Sequence, residues 1–303
     1  MIESKIIKDS LNTETGDRLT SWIWTYPRFI HSEVMTHRLF SRNAASSRAI
    51  PVKKQIAQVE DGANWVLAQP DLANIDFAAC PLAIPVDWGS NNPGMQSKAP
   101  LSESDRSRAV ERWSKAALES VNQAHQLNDI GAHKQIVNRV LEPFVHMTVL
   151  VTSSNWGNFF SLRAHPDSQP EFQKLAYMCI DIYNDNVPAK LQSGDWHLPF
   201  EDNITEKMNL DDIIRICIAR AARTSYTTFN GDYDAQKDFD LHDNLKSAGH
   251  MSPFEHVAVA LSKEDNFLAG MEQRGNFWGF QQYRKLIDGE CRNDRRIIDK
   301  LPQ

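Results

Sequence analysis

The feature that most constrains this chain is a basic, hydroxyl-rich segment at residues 32–54, SEVMTHRLFSRNAASSRAIPVKK, that follows directly on apolar residues. If it begins as a helix that runs to about Ser41, then Val34, His37 and Arg38 fall on one face, because residues three and four apart are neighbours on a helix. Short hydrogen-bonding side chains and a guanidinium come next along the chain. Such groups bind phosphate oxygens or the polar edge of a heterocycle, and here they are Asn43, Ser46 and Arg48.

A solvated basic turn between two elements is the alternative explanation of this segment, since runs of charge usually form exposed surface. The apolar residues around it favour burial, because Phe29, Ile30, Leu39 and Phe40 would hold it against a core. Polar groups held near a core need partners, and an anionic ligand would supply them. The segment therefore indicates a binding site for an anion such as a phosphate.

The order of residues from His37 to Arg48 gives the pattern H-R-x-x-S-x-N-x-x-S-x-R. This pattern resembles the signature of the flavin-dependent thymidylate synthases, and it is long and chemically mixed. Three positions depart from the family signature. Thr36, Ala44 and Ala49 stand where the family usually has Arg, Glu and Tyr.

A later part of the chain resembles the second half of the same family. There an Arg shortly before a Pro is followed by an Asn-bearing helix, an N-F-x-x-L-R run and then Q-x-E. The matching residues in this chain are Arg139 with Pro143, Asn155, the run Asn158 to Arg163, and Gln169-Pro170-Glu171.

Two further motifs resemble the family but stand in a different order. Residues 221–226 read A-A-R-T-S-Y and residues 250–256 read H-M-S-P-F-E-H. In the family these motifs precede the basic signature, whereas here they follow it. The chain therefore resembles a circularly permuted member, and a permuted chain can keep its fold when its termini lie close together at the surface.

The resemblance implies an α+β fold, with an antiparallel sheet wrapped by helices and the elements in permuted order. Residues 1–303 are predicted to form a single catalytic domain. Within it, residues 15–200 carry the signature and the nucleotide and flavin half, and residues 208–290 resemble the family's N-terminal part.

Composition excludes several other classes of protein. A net charge of −6 argues against general nucleic-acid coating, so a nucleotide would have to bind in a local basic pocket. The hydrophobic fraction of 41% and charged fraction of 24% are those of an ordinary globular protein. No run approaches the length of a membrane helix and the first ten residues lack a signal-peptide core, so we expect no membrane association and a cytoplasmic location.

The four cysteines are not predicted to carry chemistry. Cys80, Cys179, Cys217 and Cys291 are far apart and form no C-x-x-C pair, so they fit buried thiols in a reducing compartment better than disulfides or zinc ligands. None has the electropositive surroundings that activate a nucleophile. We therefore predict no metal site.

Local patterns predict most elements outside the signature. We expect a strand within residues 18–30, an ordered loop over residues 80–96, an apolar helix interrupted at Pro143, and a buried strand after His256. The pattern over residues 51–96 is otherwise weak. The C-terminal segment 274–290 is predicted to be a terminal amphipathic helix, with a segment that reaches the cleft as the alternative. Further helices are expected over residues 102–131, 168–186, 210–223 and 234–248.

The resemblance also implies roles for individual residues. Arg139 and Arg163 would stabilise negative charge on a pyrimidine ring or complete a phosphate clamp, and with Ser46 they form the expected catalytic set. The expected nucleotide-binding residues are Glu33, Ser46, Arg48, Arg139 and Arg163. The expected flavin-binding residues are His37, Arg38, Asn43, Asn155, Asn158, Gln169, Ser225 and His256.

Methylation of a deoxyuridine nucleotide at C5 requires a one-carbon donor and a reductant. No side chain here is an evident reductant, so a cofactor must supply that step. The resemblance implies FAD, with methylenetetrahydrofolate and NADPH as cosubstrates and dUMP as acceptor. It also implies a homotetramer in which each site draws on several chains.

Two alternatives remain open at the level of sequence. The first keeps the fold and changes the reaction to C5 hydroxymethylation, or to methylation of dCMP. Thr36 and Ala44 motivate it, as does Glu33, whose carboxylate would favour an amino group over a carbonyl where the family often has Gln. The second alternative is a flavin-free nucleotide-binding scaffold. The sequence leaves open the base, the product and the electron donor.

Overall fold

The computed structural model describes residues 1–94, 96–97, 99–204, 207–224, 234–288 and 290. The strands are β1 Glu3–Asn12, β2 Arg18–Pro27, β3 Ser41–Ala44, β4 His146–Ser153, β5 Ala189–Leu191, β6 Trp196–His197, β7 Ala258–Ala260 and β8 Phe280–Gln282. The helices are α1 His31–Thr36, α2 Val52–Leu67, α3 Glu103–Asp129, α4 Lys134–Val137, α5 Trp156–Arg163, α6 Pro170–Asp185, α7 Leu210–Arg223, α8 Ala235–Ser247, α9 Lys263–Leu268 and α10 Met271–Arg274. Short 3-10 segments lie at Arg28–Ile30, Asn138–Phe144, Glu201–Asn203, Ser252–Glu255 and Tyr283–Leu286.

A five-stranded sheet in the order β3-β4-β2-β1-β5 forms the centre of the fold. Its pairs are antiparallel except for β1 with β5, which run parallel. On β4, Thr152 lies opposite both Ser21 of β2 and Ser41 of β3. Because directly opposed residues share a face of a sheet, these three hydroxyl side chains lie on the same side.

The two faces of this sheet differ in chemistry because side chains alternate along each strand. One face carries Trp22, Trp24 and Tyr26 of β2, which pack against aromatic residues of α5 and α6 in a buried core. Full burial of each such side chain contributes about 1.5–3 kcal/mol to stability. The opposite face carries hydroxyl and amide groups from β2, β3 and β4.

The C-terminal residues cover this polar face. Ala221 of α7 packs on Leu150 of β4, while Ala258 and Phe280 of a second sheet, in the order β6-β7-β8, pack on Leu19 of β2. The described chain therefore has three layers at this point: α5 and α6, the central sheet, and the C-terminal elements. Every residue on the polar face that lies under the C-terminal layer must find a polar partner there.

Helices α2 and α3 pack together at the β3 side of the molecule. Val59 and Ala63 of α2 meet Val110 and Ala117 of α3 in a separate apolar cluster that also contains Leu141. The Ser102 side chain caps α3 by accepting a hydrogen bond from the Asp105 backbone. No helix in the described part of the chain is long and apolar enough to cross a membrane.

The α+β class and several elements were predicted correctly. Helices α3, α6, α7 and α8 and strand β7 lie where their sequence patterns placed them. Gln169 precedes α6, and its side chain makes no capping hydrogen bond.

Two predictions were wrong, each because tertiary pairing overrode a local pattern. The signature helix ends at Thr36 rather than near Ser41, since Ser41–Ala44 pairs with β4. The apolar run after Pro143 forms strand β4 instead of continuing a helix, and it pairs on both sides. The weakly patterned stretch 51–96 contains the sixteen-residue helix α2, whose apolar residues face α3, and the described residues of 80–96 form the predicted loop.

The C-terminal segment is also different from the predicted amphipathic helix. It forms strand β8 and the 3-10 segment Tyr283–Leu286, and it reaches the signature strand. Gly279 allows the preceding turn because it adopts a φ of +72°, and a Cβ there would lie 2.6 Å from the Asp17 Cβ.

Candidate active site

Asn43 of β3 joins the signature strand to both C-terminal motifs. Its Nδ2 donates to the Ala221 carbonyl (2.6 Å) and to Thr224 Oγ1 (3.3 Å). Its Oδ1 accepts a hydrogen bond from Ser252 Oγ at 3.4 Å. Asn43 was predicted to bind flavin, and here its buried amide connects three parts of the chain that are distant in sequence.

Ser41, at the start of β3, is held by the C-terminal segment. Its hydroxyl donates to Asn276 Oδ1 (3.1 Å) and accepts from Gln282 Nε2 (2.9 Å). Asn276 also donates to the Leu39 carbonyl at 3.0 Å. The amides of this segment therefore fix the loop between α1 and β3, which carries His37.

A chain of four side-chain hydrogen bonds crosses the polar face of the sheet. Ser10 Oγ bonds to His197 Nδ1 (2.9 Å), His197 Nε2 to Ser21 Oγ (2.9 Å), Ser21 Oγ to Thr152 Oγ1 (2.6 Å), and Thr152 Oγ1 to His256 Nδ1 (2.8 Å). All five residues are fully buried. His256 Nε2, at the end of this chain, has no hydrogen-bond partner among the described residues.

The protons along this series of hydrogen bonds, from Ser10 to His256, are coupled. Burial lowers the pKa of His256 to about 3 and that of His197 well below its usual value, so both imidazoles are neutral at pH 7. A neutral imidazole donates through one nitrogen and accepts through the other. The tautomer of His197 is therefore linked through Ser21 and Thr152 to whether His256 Nε2 carries a proton.

His37 is buried between aromatic rings and next to two cations. Its ring centroid lies 4.2 Å from that of Phe40 and 5.5 Å from that of Phe159. Burial, with smaller contributions from Arg163 and Arg42, lowers the pKa of His37 to about 4. Its Nε2 has no partner among the described residues, so a neutral ring nitrogen is available for a ligand.

Arg163 ends α5 and lies beside the same loop. Its Nη2 donates to Thr36 Oγ1 at 2.6 Å, and its guanidinium lies over the Phe172 ring, 5.0 Å from the centroid. Thr36 Oγ1 in turn donates to the Glu33 carbonyl at 2.6 Å. Arg163 Nε has no partner within the described chain. These contacts orient the guanidinium and leave one of its N–H groups available.

Ser46 and Arg48, which were predicted to bind the nucleotide, follow the C-terminal end of β3. Ser46 Oγ accepts from the Arg48 backbone at 3.3 Å, and the Arg48 side chain is exposed. Ser47 Oγ donates to Glu142 Oε1 at 2.7 Å, and this carboxylate also lies 3.7 Å from the Arg139 guanidinium.

The Arg139 side chain lies at the surface. The run up to Pro143 was predicted to be an apolar helix, whereas this side chain is 60% exposed and pairs with Glu142. The reason is that residues 138–144 form an irregular 3-10 turn at the surface rather than an apolar helix. An exposed guanidinium of this kind can meet a phosphate without prior loss of buried contacts.

The three predicted arginines have different contacts within one chain. Arg139 precedes β4 and lies 3.7 Å from Glu142, whereas Arg163 follows β4 and donates to Thr36 beside His37. Arg48 follows β3 on the same turn as Ser47, which donates to Glu142. Glu142 therefore links Arg139 to the turn that carries Arg48, while Arg163 lies with His37.

The other predicted residues have the following positions. Asn155 caps α5 by accepting from the Asn158 backbone, and the Asn158 side chain is exposed. Gln169 Nε2 donates to Glu171 Oε2 at 3.3 Å. Arg38 is exposed, Glu33 is half-buried in α1, and Ser225 lies outside the described residues.

No cysteine in the described chain has the properties of a nucleophile. Burial raises the pKa of Cys80 to about 11 and that of Cys179 to about 12, and it also raises the pKa of Cys217. Cys291 lies outside the described residues. Within the described chain, no group of three or more His, Cys, Asp or Glu residues could hold a metal ion.

Sequence reasoning missed the residues that connect the layers. His197, Ser21 and Thr152 were not among the predicted site residues. A hydroxyl at alternate positions of two otherwise apolar strands was the available signal. It could not identify the partners, because these come from parts of the chain more than 100 residues away.

Comparisons with known proteins give a family match and a set of similar solved structures that includes two crystal structures of one enzyme. The family model described as thymidylate synthase complementing protein matches residues 20–189. A crystal structure of a UMP/dUMP methylase, PolB from Streptomyces cacaoi, bound with 5-Br UMP is 14% identical, with 60% of this chain and 88% of that chain covered and a TM-score of 0.45. A second crystal structure of PolB, bound with 5-Br dUMP, is 21% identical over 55% of this chain and 66% of that chain, with a TM-score of 0.39. Among curated proteins, none matches the chain.

Proposed function

Because the chain belongs to the thymidylate synthase complementing protein family, we propose that it methylates dUMP at C5, with FAD as cofactor and methylenetetrahydrofolate and NADPH as cosubstrates. The observation that carries this proposal is the family match, which contains the whole basic signature from His37 to Arg48. The arrangement of charged and unpartnered polar groups around β3 supports it.

The nucleotide phosphate would bind at the Arg139 end of β3. Ser46, Arg48 and Arg139 offer a hydroxyl and two guanidinium groups, and both guanidinium groups are exposed. Arginine binds a phosphate through two parallel hydrogen bonds, each stronger than a bond between neutral groups. Glu142 keeps this cluster from accumulating excess positive charge before the phosphate arrives.

Arg163 would act on the pyrimidine ring from a second chain. Its guanidinium is oriented by Thr36 and Phe172, and its unpartnered Nε–H is available to an oxygen on which negative charge develops. Arg139 and Arg163 belong to separate clusters of this chain, one with Glu142 and one with Thr36, and a second copy of the chain would supply Arg163 to the nucleotide. This agrees with the several-chain site and the homotetramer that the resemblance implies.

The flavin would lie along the loop that carries His37. The residues present fit such a group, because His37 Nε2 is an unpartnered neutral nitrogen beside exposed Arg38. Asn155, Asn158, Gln169 and Ser225 remain proposed contacts, and a bound reduced flavin supplies the hydride that no side chain can give. Asn43 and His256 are buried in protein contacts, so we assign them to the support of β3 and to the orientation of this loop.

A related reaction on the same scaffold is the second candidate. Thr36 stands where the family usually has Arg, and its hydroxyl is engaged with Arg163 and the Glu33 carbonyl. The Glu33 carboxylate is half-buried in the same turn. A carboxylate favours an amino group over a carbonyl, so dCMP is the alternative acceptor, and hydroxymethylation is the alternative product.

The proposed function is tested by incubation of the purified protein with dUMP or dCMP, methylenetetrahydrofolate, NADPH and FAD, followed by product analysis. We expect dTMP from dUMP and a flavin spectrum in the purified or FAD-loaded protein. A 5-hydroxymethyl product, or conversion of dCMP alone, would favour the second candidate. Nucleotide binding without FAD uptake or turnover would favour the flavin-free scaffold.

A further inference from the structure

The C-terminal segment holds one large aromatic side chain at the surface beside the candidate site. Phe277 is 1% exposed and belongs to the apolar cluster between β2 and the second sheet. The next residue, Trp278, is 50% exposed. A single exposed aromatic side chain is common on protein surfaces, so the neighbours of Trp278 decide whether it has a role.

The main chain at Trp278 is fixed on both sides. Before it, Asn276 Nδ2 donates to the Leu39 carbonyl at 3.0 Å. After it, the Gly279 backbone N–H donates to Asn266 Oδ1 at 2.9 Å. The indole is therefore carried by a turn whose position is set by the protein itself.

Arg274 covers one face of this indole. Its guanidinium carbon lies 3.9 Å from the centroid of the Trp278 ring, which places the cation above the ring plane. Arg274 is itself 7% exposed, and its Nη1 donates to Asn266 Oδ1 at 3.1 Å. The exposed surface of the indole therefore lies on its opposite face and along its edges, where a second planar group can stack.

Trp278 is bonded to the residue that precedes the cap of α5. Its backbone N–H donates to Ser154 Oγ at 2.7 Å. Asn155 then caps α5, and Gly157 and Asn158 in the first turn are exposed. A Cβ on Gly157 would meet no atom of a neighbouring element within 4 Å among the described residues, so the space beside this turn is open. Trp278 therefore stands beside two of the proposed flavin contacts, Asn155 and Asn158.

The same network of hydrogen bonds includes the loop between α1 and β3. The Leu39 carbonyl accepts from Ser153 Oγ (3.2 Å) as well as from Asn276 Nδ2. Ser153 Oγ in turn accepts from the Asn155 backbone N–H at 3.1 Å. The loop that carries His37, the start of α5 and the C-terminal turn are therefore held together by direct hydrogen bonds.

We propose that Trp278 is a further cofactor contact, whose open indole face stacks on a heteroaromatic ring of FAD. The inference rests on the proposed function, because it takes the flavin to lie beside His37 and α5. An indole matches a flat ring system in shape, and stacked aromatic rings contribute more than the area they bury. Since the indole is already fixed, binding costs little conformational entropy. The stacked ring is the isoalloxazine or the adenine, because both are planar and both belong to FAD.

The test is a calorimetric titration of the full chain with FAD. Trp278→Leu should raise the Kd for FAD roughly five- to a hundred-fold, because it removes the stacking surface. Trp278→Gln also lacks an aromatic ring, is measured in parallel, and should behave in the same way. Trp278→Phe keeps an aromatic face and should raise the Kd by no more than about threefold.

A second exposed indole provides the matched control. Trp65 is 43% exposed but belongs to α2, so Trp65→Leu should leave the Kd for FAD unchanged. Because both indoles are exposed, Tm of each ligand-free variant should stay close to that of the wild type. The rise of Tm with FAD is then a second measure, and it should be smaller in Trp278→Leu than in Trp65→Leu.

Two fragments of the cofactor identify the stacked ring. FMN carries the isoalloxazine and ADP carries the adenine. Weaker binding of either fragment to Trp278→Leu than to the wild type supports the proposal and shows which ring is stacked. Equal binding of both fragments to the wild type, Trp278→Leu and Trp65→Leu would overturn it.

The outcomes separate this inference from the proposed function. If the wild type binds FAD and the Trp278 variants bind it with the same Kd, the inference is wrong while the proposed function stands. If the wild type binds no FAD, the proposed cofactor and the inference are both wrong. If Trp278→Leu changes the oligomeric state, measured by light scattering, and leaves the Kd per chain unchanged, the indole contacts a second copy of the chain, which also overturns the inference.

Discussion

At the scale of single residues, the site depends on titratable groups kept neutral and on cations kept in fixed orientations. His37 is neutral because it is buried beside Arg163 and Arg42, and Arg163 is oriented because Thr36 and Phe172 contact it. Both effects arise within a short loop and one helix end. They determine which hydrogen bonds a ligand could make there.

The lowered pKa of His37 predicts a pH dependence of stability. The pKa is about 4 in the folded chain and 6.5 ordinarily, so the unfolded state binds more protons between these values. His37 therefore lowers the free energy of unfolding as pH falls from about 6.5 to 4, by on the order of 2–3 kcal/mol.

Urea unfolding at several pH values should show a smaller decrease in the free energy of unfolding for His37→Gln than for the wild type. An identical decrease in the two proteins would contradict the assignment, because His146, His197 and His256 change the slope of both equally.

The contact between Thr36 and Arg163 predicts an effect on nucleotide binding. Thr36→Val removes the hydroxyl that accepts from Arg163 and keeps the shape of the side chain. Because Thr36 is exposed, we expect a moderate effect, a rise of roughly five- to tenfold in the KM for the nucleotide with little change in Tm. Thr36→Ser is the matched control and should behave as the wild type. Equal behaviour of the two variants would exclude a positioning role.

At the scale of elements, strand β4 organises the site. It pairs with β2 and β3, presents apolar side chains to the aromatic core, and presents Thr152 to the C-terminal layer. Its two ends carry the two groups of predicted residues, with Arg139 before it and Arg163 after it.

Thr152→Val should destabilise the fold, because it removes the hydroxyl that links Ser21 to His256 in the buried series of hydrogen bonds. The change leaves Ser21 Oγ and His256 Nδ1 without their partner, which costs about 2–4 kcal/mol for two buried polar groups. Urea unfolding measures the change, and Thr152→Ser is the control because it retains the hydroxyl.

The ¹⁵N shifts of the His256 ring should also change in Thr152→Val, since the tautomer of His256 is no longer linked to that of His197. Equal destabilisation by Ser and Val would show that the methyl group, not the hydroxyl, matters.

At the scale of the whole molecule, the proposed site shared between chains predicts complementation between variants of Arg139 and Arg163. Arg139→Ala and Arg163→Ala should each be inactive alone. When the two variants are coexpressed and mixed oligomers are isolated through two tags, some sites receive both arginines from intact chains. With random pairing of subunits across one two-fold interface, roughly a quarter of the wild-type activity should return.

The control for this experiment pairs two variants at the same end of β3, Arg48→Gln with Arg139→Ala, which should not complement. Failure of Arg139→Ala and Arg163→Ala to complement, in oligomers that contain both, would place the two arginines in one chain's site. The same preparations give the oligomeric state, which we expect to be a homotetramer.

The family and the general fold class could be predicted from the sequence because they depend on local order. The family match confirms the resemblance drawn from His37 to Arg48, which lies inside residues 20–189. Helices α3, α7 and α8 were found from their apolar spacing and caps, which are local. The permuted order of the motifs stays a prediction, although the contacts of Asn43 bring residues 221–224 and 252 onto the signature strand as that order requires.

The sequence by itself determined which groups this protein has available: a hydroxyl-rich basic segment, two later arginines, and histidines in apolar surroundings. Only the tertiary structure decided where they lie, because strand pairing links residues by register and not by spacing along the chain. It turned the end of a predicted helix into β3 and an apolar run into β4. By that pairing it bonded Asn43 to the C-terminal motifs and buried His256 behind Thr152.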